Sequence, residues 1–297
     1  MPPEAAPLRS DPQAAGLPRL EARLVQDLSW LNLSARPWVP APPQGQEDVL
    51  DVAIIGAGLN GLAAAASLKF LGITRMAVLD LAPEGREGPW LTTARMRTLR
   101  TAKDVQGPAL GIPSLTCRAW YEAQHGAAAW ASLAHVPRTA WMDYMVWFRR
   151  VLGLPVRNGV TVTAITPDDA APLRIGIAGA GLLRARRVVL ATGIDGLGGP
   201  TIPAVIAGLP RRFWAHTSEA IDFAALAGKR VGVLGAGASA MDNAAVALEA
   251  GEISAVREPP MPWRRSGRAT LALRDTTASA KRAYQPAGNP LIGTETL

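Results

Sequence analysis

Residues 51–62 read DVAIIGAGLNGL, an apolar run of strand length that ends on glycines spaced G-x-G-x-x-G and leads into an Ala-rich stretch reaching residue 71. Each glycine has its own mechanical role. Gly56 permits a tight turn, Gly58 lets a pyrophosphate approach the backbone, and Gly61 lets helix and strand pack closely. The helix N-terminus beyond them offers free N–H groups and the positive end of a dipole, worth about 0.3–1 kcal/mol per nearby negative charge. A second apolar stretch, residues 75–81, follows a turn at Gly72, so the segment opens a βαβ unit. Asp80 lies near its end, roughly 20 residues beyond the glycines, where a carboxylate accepts hydrogen bonds from a ribose diol and disfavours an extra ribose phosphate. Glycines also end strands for steric reasons alone; it is strand, glycines, helix and acid together that point to a dinucleotide.

The theme returns late in the chain. Residues 233–245, VLGAGASAMDNAA, place Gly235, Gly237, Ala238 and Ser239 between a strand at 230–234 and a helix at 239–250. Between the two motifs, residues 84–118 read as irregular structure and 118–133 and 139–152 as helices. Residues 159–165, 173–177 and 182–191 read as strands, with Gly179 and Gly181 in a hairpin turn and the last strand closing on Ala191-Thr192-Gly193. Alternating strands and helices give an α/β class. Ahead of the first strand, Leu20, Leu24, Leu28 and Leu31 mark an amphipathic helix over 20–33, and a proline-rich linker follows at 37–43. The expected organisation is an N-terminal extension over 1–48, a first nucleotide domain over 49–200, part of a second over 201–258, and an unassigned tail over 259–297.

The formal charge of +7 comes mostly from scattered arginines, which favours a phosphate-bearing cofactor and solubility over nucleic acid as explanations. Cys117 is the single cysteine, so an internal disulfide and a Cys-x-x-Cys pair are excluded and a reducing, cytoplasmic setting is expected. The proline-rich first residues carry Glu4 and Asp11 and offer no signal peptide, and the most apolar run, 61–67, is too short for a membrane span. No metal motif is visible; His125, His135 and Cys117 read as ordinary core or surface residues.

The order of motifs, G-x-G-x-x-G at 56–61, Gly88-Pro89-Trp90, Ala191-Thr192-Gly193 and Gly235-Ala236-Gly237-Ala238-Ser239-Ala240, resembles the flavin-dependent monooxygenases of the flavin-containing and Baeyer–Villiger type and related FAD/NAD(P)-binding oxidoreductases. The resemblance covers residues 20–250. It implies a three-layer Rossmann-like FAD-binding domain with an inserted, incomplete second Rossmann-like NAD(P)-binding unit, which accounts for two glycine turns. By it, Gly56, Ala57, Gly58, Asn60, Gly61, Asp80 and Leu81 hold FAD, Gly88, Trp90, Thr92 and Arg97 line the flavin, and Val162 presents backbone groups to adenine. Ala191, Thr192 and Gly193 mark the passage between domains. Gly235, Gly237, Ala238, Ser239 and Arg257 would hold NADP, although Glu258 beside Arg257 leaves NAD open. Trp90 has an alternative as a core tryptophan and Arg97 as a solvated charge.

The implied reaction passes hydride from NADPH to FAD and uses a flavin hydroperoxide, formed with oxygen, to oxygenate a small organic substrate. No catalytic side chain is singled out. The junction pattern F-x-G-x-x-x-H-x-x-x-aromatic departs from the family, with Arg212 for glycine and Ala220 for the aromatic, which weakens the Baeyer–Villiger assignment and leaves His216 structural or catalytic. A flavin disulfide reductase would need a cysteine pair, and a nicotinamide-only dehydrogenase one nucleotide unit. A cofactor-binding remnant without turnover stays open, as does the expectation that residues from about 251 are a truncated or frame-shifted end.

Overall fold

The computed structural model describes residues 16–167, 172–179, 181–194, 196, 198–250 and, as backbone, 253–257. The chain forms two compact units, Met1–Ser218 and Glu219–Leu297; the boundary expected from sequence is 200/201.

The first unit is built on β1 (Leu50–Ile55), α2 (Leu59–Phe70) and β2 (Met76–Leu79), preceded by α1 (Gly16–Trp30). Five of the six β1 residues are buried. The cause is topological: β1 lies between β2 and β6 (Gly181–Leu190), both parallel to it, so both of its faces are covered and its sequence is continuously apolar. The whole sheet runs β3-β2-β1-β6-β5-β4, where β3 is Val156–Arg157, β4 Val162–Thr166 and β5 Leu173–Ile177. Strands β4, β5 and β6 form an antiparallel meander. Its last turn uses Gly179 and Gly181 at φ +71° and +109°, a conformation side chains rarely adopt. The hairpin is as expected; β3 is an addition to the sequence reading, a two-residue edge strand directly after Pro155.

One side of the sheet is covered by α2, whose Leu62, Ala65, Ala66 and Phe70 are buried, and by an aromatic helical layer. That layer comprises α3 (Cys117–His125), α4 (Ala127–Ser132) and α5 (Arg138–Val151). The single helix expected over 118–133 is two helices, because Gly126 takes φ +84° and turns the chain. The Thr116 hydroxyl caps α3 by accepting from Ala119 N at 3.1 Å.

Helix α1 begins at Gly16, earlier than its leucine spacing indicated, and is bolted to this layer. Buried Asp27 accepts from Ser114 Oγ and Arg23 Nε, each at 2.7 Å. Glu21 accepts from Trp147 Nε1 at 3.1 Å and pairs with Arg150 at 2.6 Å. The chain entering the proline-rich linker then closes the C-terminus of α2: Ala35 N, just before the linker, donates to Phe70 O at 2.9 Å, and Trp38 Nε1, within it, to Leu71 O at 2.8 Å, satisfying carbonyls that a helix end leaves free.

A short α6 (Ala204–Ala207) lies later in the first unit. The second unit is a β-α-β element, β7 (Arg230–Leu234), α7 (Ala238–Glu249) and β8 (Ile253–Arg257), with the strands parallel. The expected tail, 259–297, lies outside the described residues. Among the described residues no helix is long and apolar enough to cross a membrane.

Candidate functional site

The turn after β1 shows which glycines the fold itself demands. Gly56 has φ +103°, and a Cβ there would stand 2.3 Å from Ala191 O. Gly61 is more constrained still, since its Cβ would fall 1.8 Å from Gly56 O. Gly58 is different: its φ is −68°, and a Cβ would meet nothing nearer than Gly88 Cα at 4.0 Å. Protein sterics do not require glycine at 58, and the missing side chain leaves the outer side of the turn open to approach. Gly58 is also the N-cap of α2, and no side chain caps the helix. The first amide groups of α2 thus face that approach with their positive dipole end.

Asp80 fastens the turn to β2. Its Oδ2 accepts from Ala57 N at 2.7 Å and its Oδ1 from Ala82 N at 2.8 Å, with the residue buried. Each carboxylate oxygen keeps capacity for a further donor. Val160 N donates to Asp80 O at 2.9 Å, which brings the chain entering β4 beside the same acid. Val162 follows two residues later, at a register shift between Val162 and Ala164 in the β4–β5 pairing.

The segment 87–92 stands opposite the glycine turn. Gly88 takes φ +72°, and a Cβ there would strike the Trp90 ring at 2.8 Å. Thr92 Oγ1 donates to Gly88 O at 2.9 Å and Arg138 donates to Trp90 O. Behind this segment lies a network with no signature in the sequence. Glu87, 2% exposed, accepts at Oε1 from Arg149 Nη1 at 2.5 Å and from Asn158 Nδ2 at 2.7 Å. Arg149 also pairs with Glu84 at 2.8 Å, and Asn158 Nδ2 donates to Ala82 O at 3.0 Å.

A pocket of about 250 Å³ opens beside the turn, lined among others by Leu59, Trp90, Met96, Leu99, Arg100 and Trp141. Leu59 is the first residue of α2, so the amide end of the helix and the apolar pocket share one turn of chain. The loop forming the far wall is pinned by Lys103, whose Nζ donates to Trp130 O at 2.9 Å and Leu133 O at 2.7 Å. Trp90 is half-buried on the core and pocket-lining at once, its ring 6.1 Å from that of Trp141.

The structure therefore brings together Gly56, Ala57, Gly58, Gly61, Asp80, Gly88, Trp90 and Ala191. Asn60 is exposed on the first turn of α2, and Thr92, Thr192 and Gly193 are exposed beside members of the group. Leu81 is 73% exposed, and the exposed Arg97 enters through its backbone, with its carbonyl accepting from Arg138 N at 3.1 Å. His216 Nδ1 engages Ser218 through its amide and its hydroxyl, a local turn. Burial pushes the Cys117 thiol up to about 12, which leaves it protonated and unreactive.

In the second unit, Gly235 has φ +150° and a Cβ would stand 3.1 Å from Ala240 Cβ. Gly237 is the N-cap of α7 without a side-chain cap, and a Cβ there would meet nothing within 4 Å. Ala238 and Ser239 are exposed on the first turn of α7, and Arg257 ends β8 opposite Leu234. The distribution of demands matches the first turn: an enforced first glycine and an open second one.

These features agree with the comparisons to known proteins. A family model described as FAD-NAD(P)-binding matches residues 53–195, and one for L-lysine 6-monooxygenase/L-ornithine 5-monooxygenase matches residues 129–285. The chain is 48% identical over 251 residues to an FAD-dependent urate hydroxylase of Xanthomonas campestris pv. campestris, an alignment covering 83% of the chain and 53% of the relative. The chain thus spans about half the length of that curated relative. Among solved structures, the FAD-bound cadaverine monooxygenase of Erwinia amylovora shares the fold at TM-score 0.57 and 21% identity, covering 71% of this chain and 51% of that one. The ornithine N-hydroxylase of Kutzneria sp. 744 does so at TM-score 0.57 and 19% identity, covering 75% and 56%. With the second family model spanning more than half of its residues, the chain belongs to the L-lysine 6-monooxygenase/L-ornithine 5-monooxygenase family of flavin-dependent monooxygenases.

Proposed function

We propose that the chain is the cofactor-binding part of an FAD- and NAD(P)H-dependent monooxygenase that hydroxylates a small, planar, anionic nitrogen heterocycle of the urate class. The observation that carries the reading is the shared turn at Leu59, where an uncapped helix N-terminus meets an apolar, tryptophan-walled pocket. A phosphate-bearing cofactor with a flat ring at its far end asks for those two environments side by side.

The residues present fit FAD. Gly58 keeps a space that the fold does not need, the α2 amides face it, and Asp80 retains lone pairs for a ribose hydroxyl while fixing Ala57. Asn60, Gly56, Gly61 and Leu81 complete that seat, Gly88, Trp90, Thr92 and Arg97 border the ring, Val162 borders adenine, and Ala191 to Gly193 close the turn. In the second unit Gly235, Gly237, Ala238 and Ser239 form the corresponding seat, with Arg257 as candidate partner for the extra phosphate of NADP. FAD, when bound, supplies hydride acceptance and oxygen activation. The protein supplies position and dryness: Trp90, Met96, Leu99 and Trp141 exclude water, and Arg100 adds positive charge to the wall for an anionic substrate. The 48% identity to a urate hydroxylase supports that substrate class. A cytoplasmic setting, where NAD(P)H is replenished, belongs to the same reading.

The test is to purify the protein, measure bound flavin by its visible absorbance, and follow oxygen uptake with NADPH and with NADH, each with and without urate. Bound flavin with urate-stimulated uptake is the expected result. Flavin without uptake returns the chain to a cofactor-binding remnant, and absence of flavin overturns the reading.

A further inference from the structure

We propose that Trp90, Trp141, Tyr144 and Trp147 form a relay that carries an oxidising equivalent from the pocket wall to Trp147, whose proton passes to the partly exposed Glu21. The FAD reading enters only as the natural source of the oxidant. The ring centroids follow one another at 6.1 Å, 5.3 Å and 6.0 Å. The last three residues recur every third position along α5, so helical geometry fixes their spacing.

Rings at this separation branch here: Trp120 lies 5.9 Å from Tyr144, and Tyr121 leads on to Trp130 at 5.8 Å. Electrostatics and proton acceptors decide which branch holds the charge. An oxidised indole or phenol is a strong acid, and it comes to rest where its proton can leave. Tyr144 Oη donates to Leu115 O at 2.7 Å, a neutral amide that cannot take the proton. Trp141 Nε1 and Tyr121 Oη are buried without a partner. Trp130 carries the Lys103 ammonium 5.5 Å from its ring centre, which opposes a second positive charge. Trp147 differs from these rings, since its Nε1 donates at 3.1 Å to a carboxylate, Glu21 Oε1, whose negative charge offsets the Arg150 guanidinium paired with it at 2.6 Å. Glu21 is partly exposed, so the proton has a way to solvent.

A one-electron oxidant at the pocket, such as a photoexcited flavin or an oxygen-derived radical, removes an electron from Trp90 and is itself reduced. An electron moves from Trp147 through Tyr144 and Trp141 to restore Trp90. The Nε1–H bond of Trp147 breaks, its proton passes to Glu21, and a neutral indolyl radical remains. A thiolate in solution returns one electron and leaves as a thiyl radical, and the proton held by Glu21 goes back to Nε1, which restores the buried indole. The relay spares the pocket wall from irreversible oxidation.

The experiment uses the full chain with lumiflavin added as photo-oxidant, which makes it independent of bound FAD. Flash photolysis follows the neutral indolyl radical, and mass spectrometry follows oxidation of the Trp90 peptide under continuous light. In a Trp30→Phe/Trp38→Phe background, which removes two indoles exposed to direct attack, Trp147→Phe lowers the long-lived indolyl signal and raises Trp90 oxidation severalfold. In Glu21→Gln, a partly exposed position that leaves the core intact, conversion of radical cation to neutral radical slows severalfold. Wild-type radical kinetics and Trp90 oxidation in folded Glu21→Gln or Trp147→Phe overturn the proposal. Absence of flavin in the purified protein strikes the FAD reading and leaves this outcome intact.

Discussion

Replacing Glu87 by alanine breaks the network behind the Gly88–Trp90 segment, and its cost follows from which charges it strands. Glu87 gives one oxygen to Arg149 at 2.5 Å and to Asn158 at 2.7 Å, while its other oxygen is buried without a partner. Arg149 has a side chain only 13% exposed, so removing Glu87 leaves a largely desolvated guanidinium. Breaking a buried pair from one side costs about 3–5 kcal/mol. Arg149 keeps Glu84 at 2.8 Å, but that carboxylate is 65% exposed and screened, and it keeps Asn158 Oδ1 at 3.1 Å. These residual partners place Glu87→Ala near the lower end, about 3 kcal/mol. Glu87→Gln retains the accepting oxygen and loses the charge, so it costs about 1.5 kcal/mol. The assay is urea unfolding of the first unit followed by tryptophan fluorescence, completed by Arg149→Met and the double variant Glu87→Leu/Arg149→Met. The double variant is expected to cost less than Glu87→Leu alone, because no unpaired charge remains. A cost below about 1 kcal/mol for Glu87→Ala, or strict additivity in the double variant, refutes the reasoning.

Two further perturbations separate roles that the sequence merges. Gly58→Ala leaves stability within about 1 kcal/mol, the cost of alanine at an N-cap, yet weakens FAD binding at least tenfold in a fluorescence titration; Gly61→Ala, whose Cβ would fall 1.8 Å from Gly56 O, destabilises the unit itself by about 3 kcal/mol. The Ser114 hydroxyl, aided by Arg23, holds the Asp27 carboxyl below its ordinary value of 3.8. The stability this supplies is complete above pH 3.8 and is lost as pH falls through the lower folded value, so Asp27→Asn flattens the acid limb of the unfolding free energy below pH 3.8, measured by urea titration at each pH.

The glycine turn was legible because its residues answer to sterics that act over a few positions: Gly56 and Gly61 are dictated by the turn, and Asp80 by the end of the next strand. Other features were hidden by composition. Glu84 and Glu87 stand three apart in the run APEGREG, which reads as a solvated loop, yet the structure exposes the first and buries the second. Arg149 pairs with both, and what distinguishes Glu87 is the further hydrogen bond from Asn158, far away in sequence. The break at Gly126 was masked because apolar spacing continues across it, and β3 because two residues carry no periodicity. The pocket wall at 96–107 has its order from Lys103 bonds to backbone carbonyls, an arrangement with no repeating signal. His216 was conspicuous through the junction pattern, and the structure gives it a local turn with Ser218.

The two glycine turns share a logic and differ in support. In the first, Ala57 is 2% exposed and its amide is held by Asp80, while Ala191 closes over Gly56 and Gly88 faces Gly58. In the second, Ala236, Gly237 and Ala238 are exposed, and the described residue that a Cβ on Gly235 would meet is Ala240, on the same turn. A seat braced by distant segments loses little freedom when a ligand arrives, whereas one held by its own strand and helix must be ordered by the ligand. On the function proposed above, FAD would sit in the preorganised first turn as a resident group and the nicotinamide nucleotide in the second as an exchanging one, so that gel filtration of the loaded protein keeps the flavin and strips the nicotinamide nucleotide.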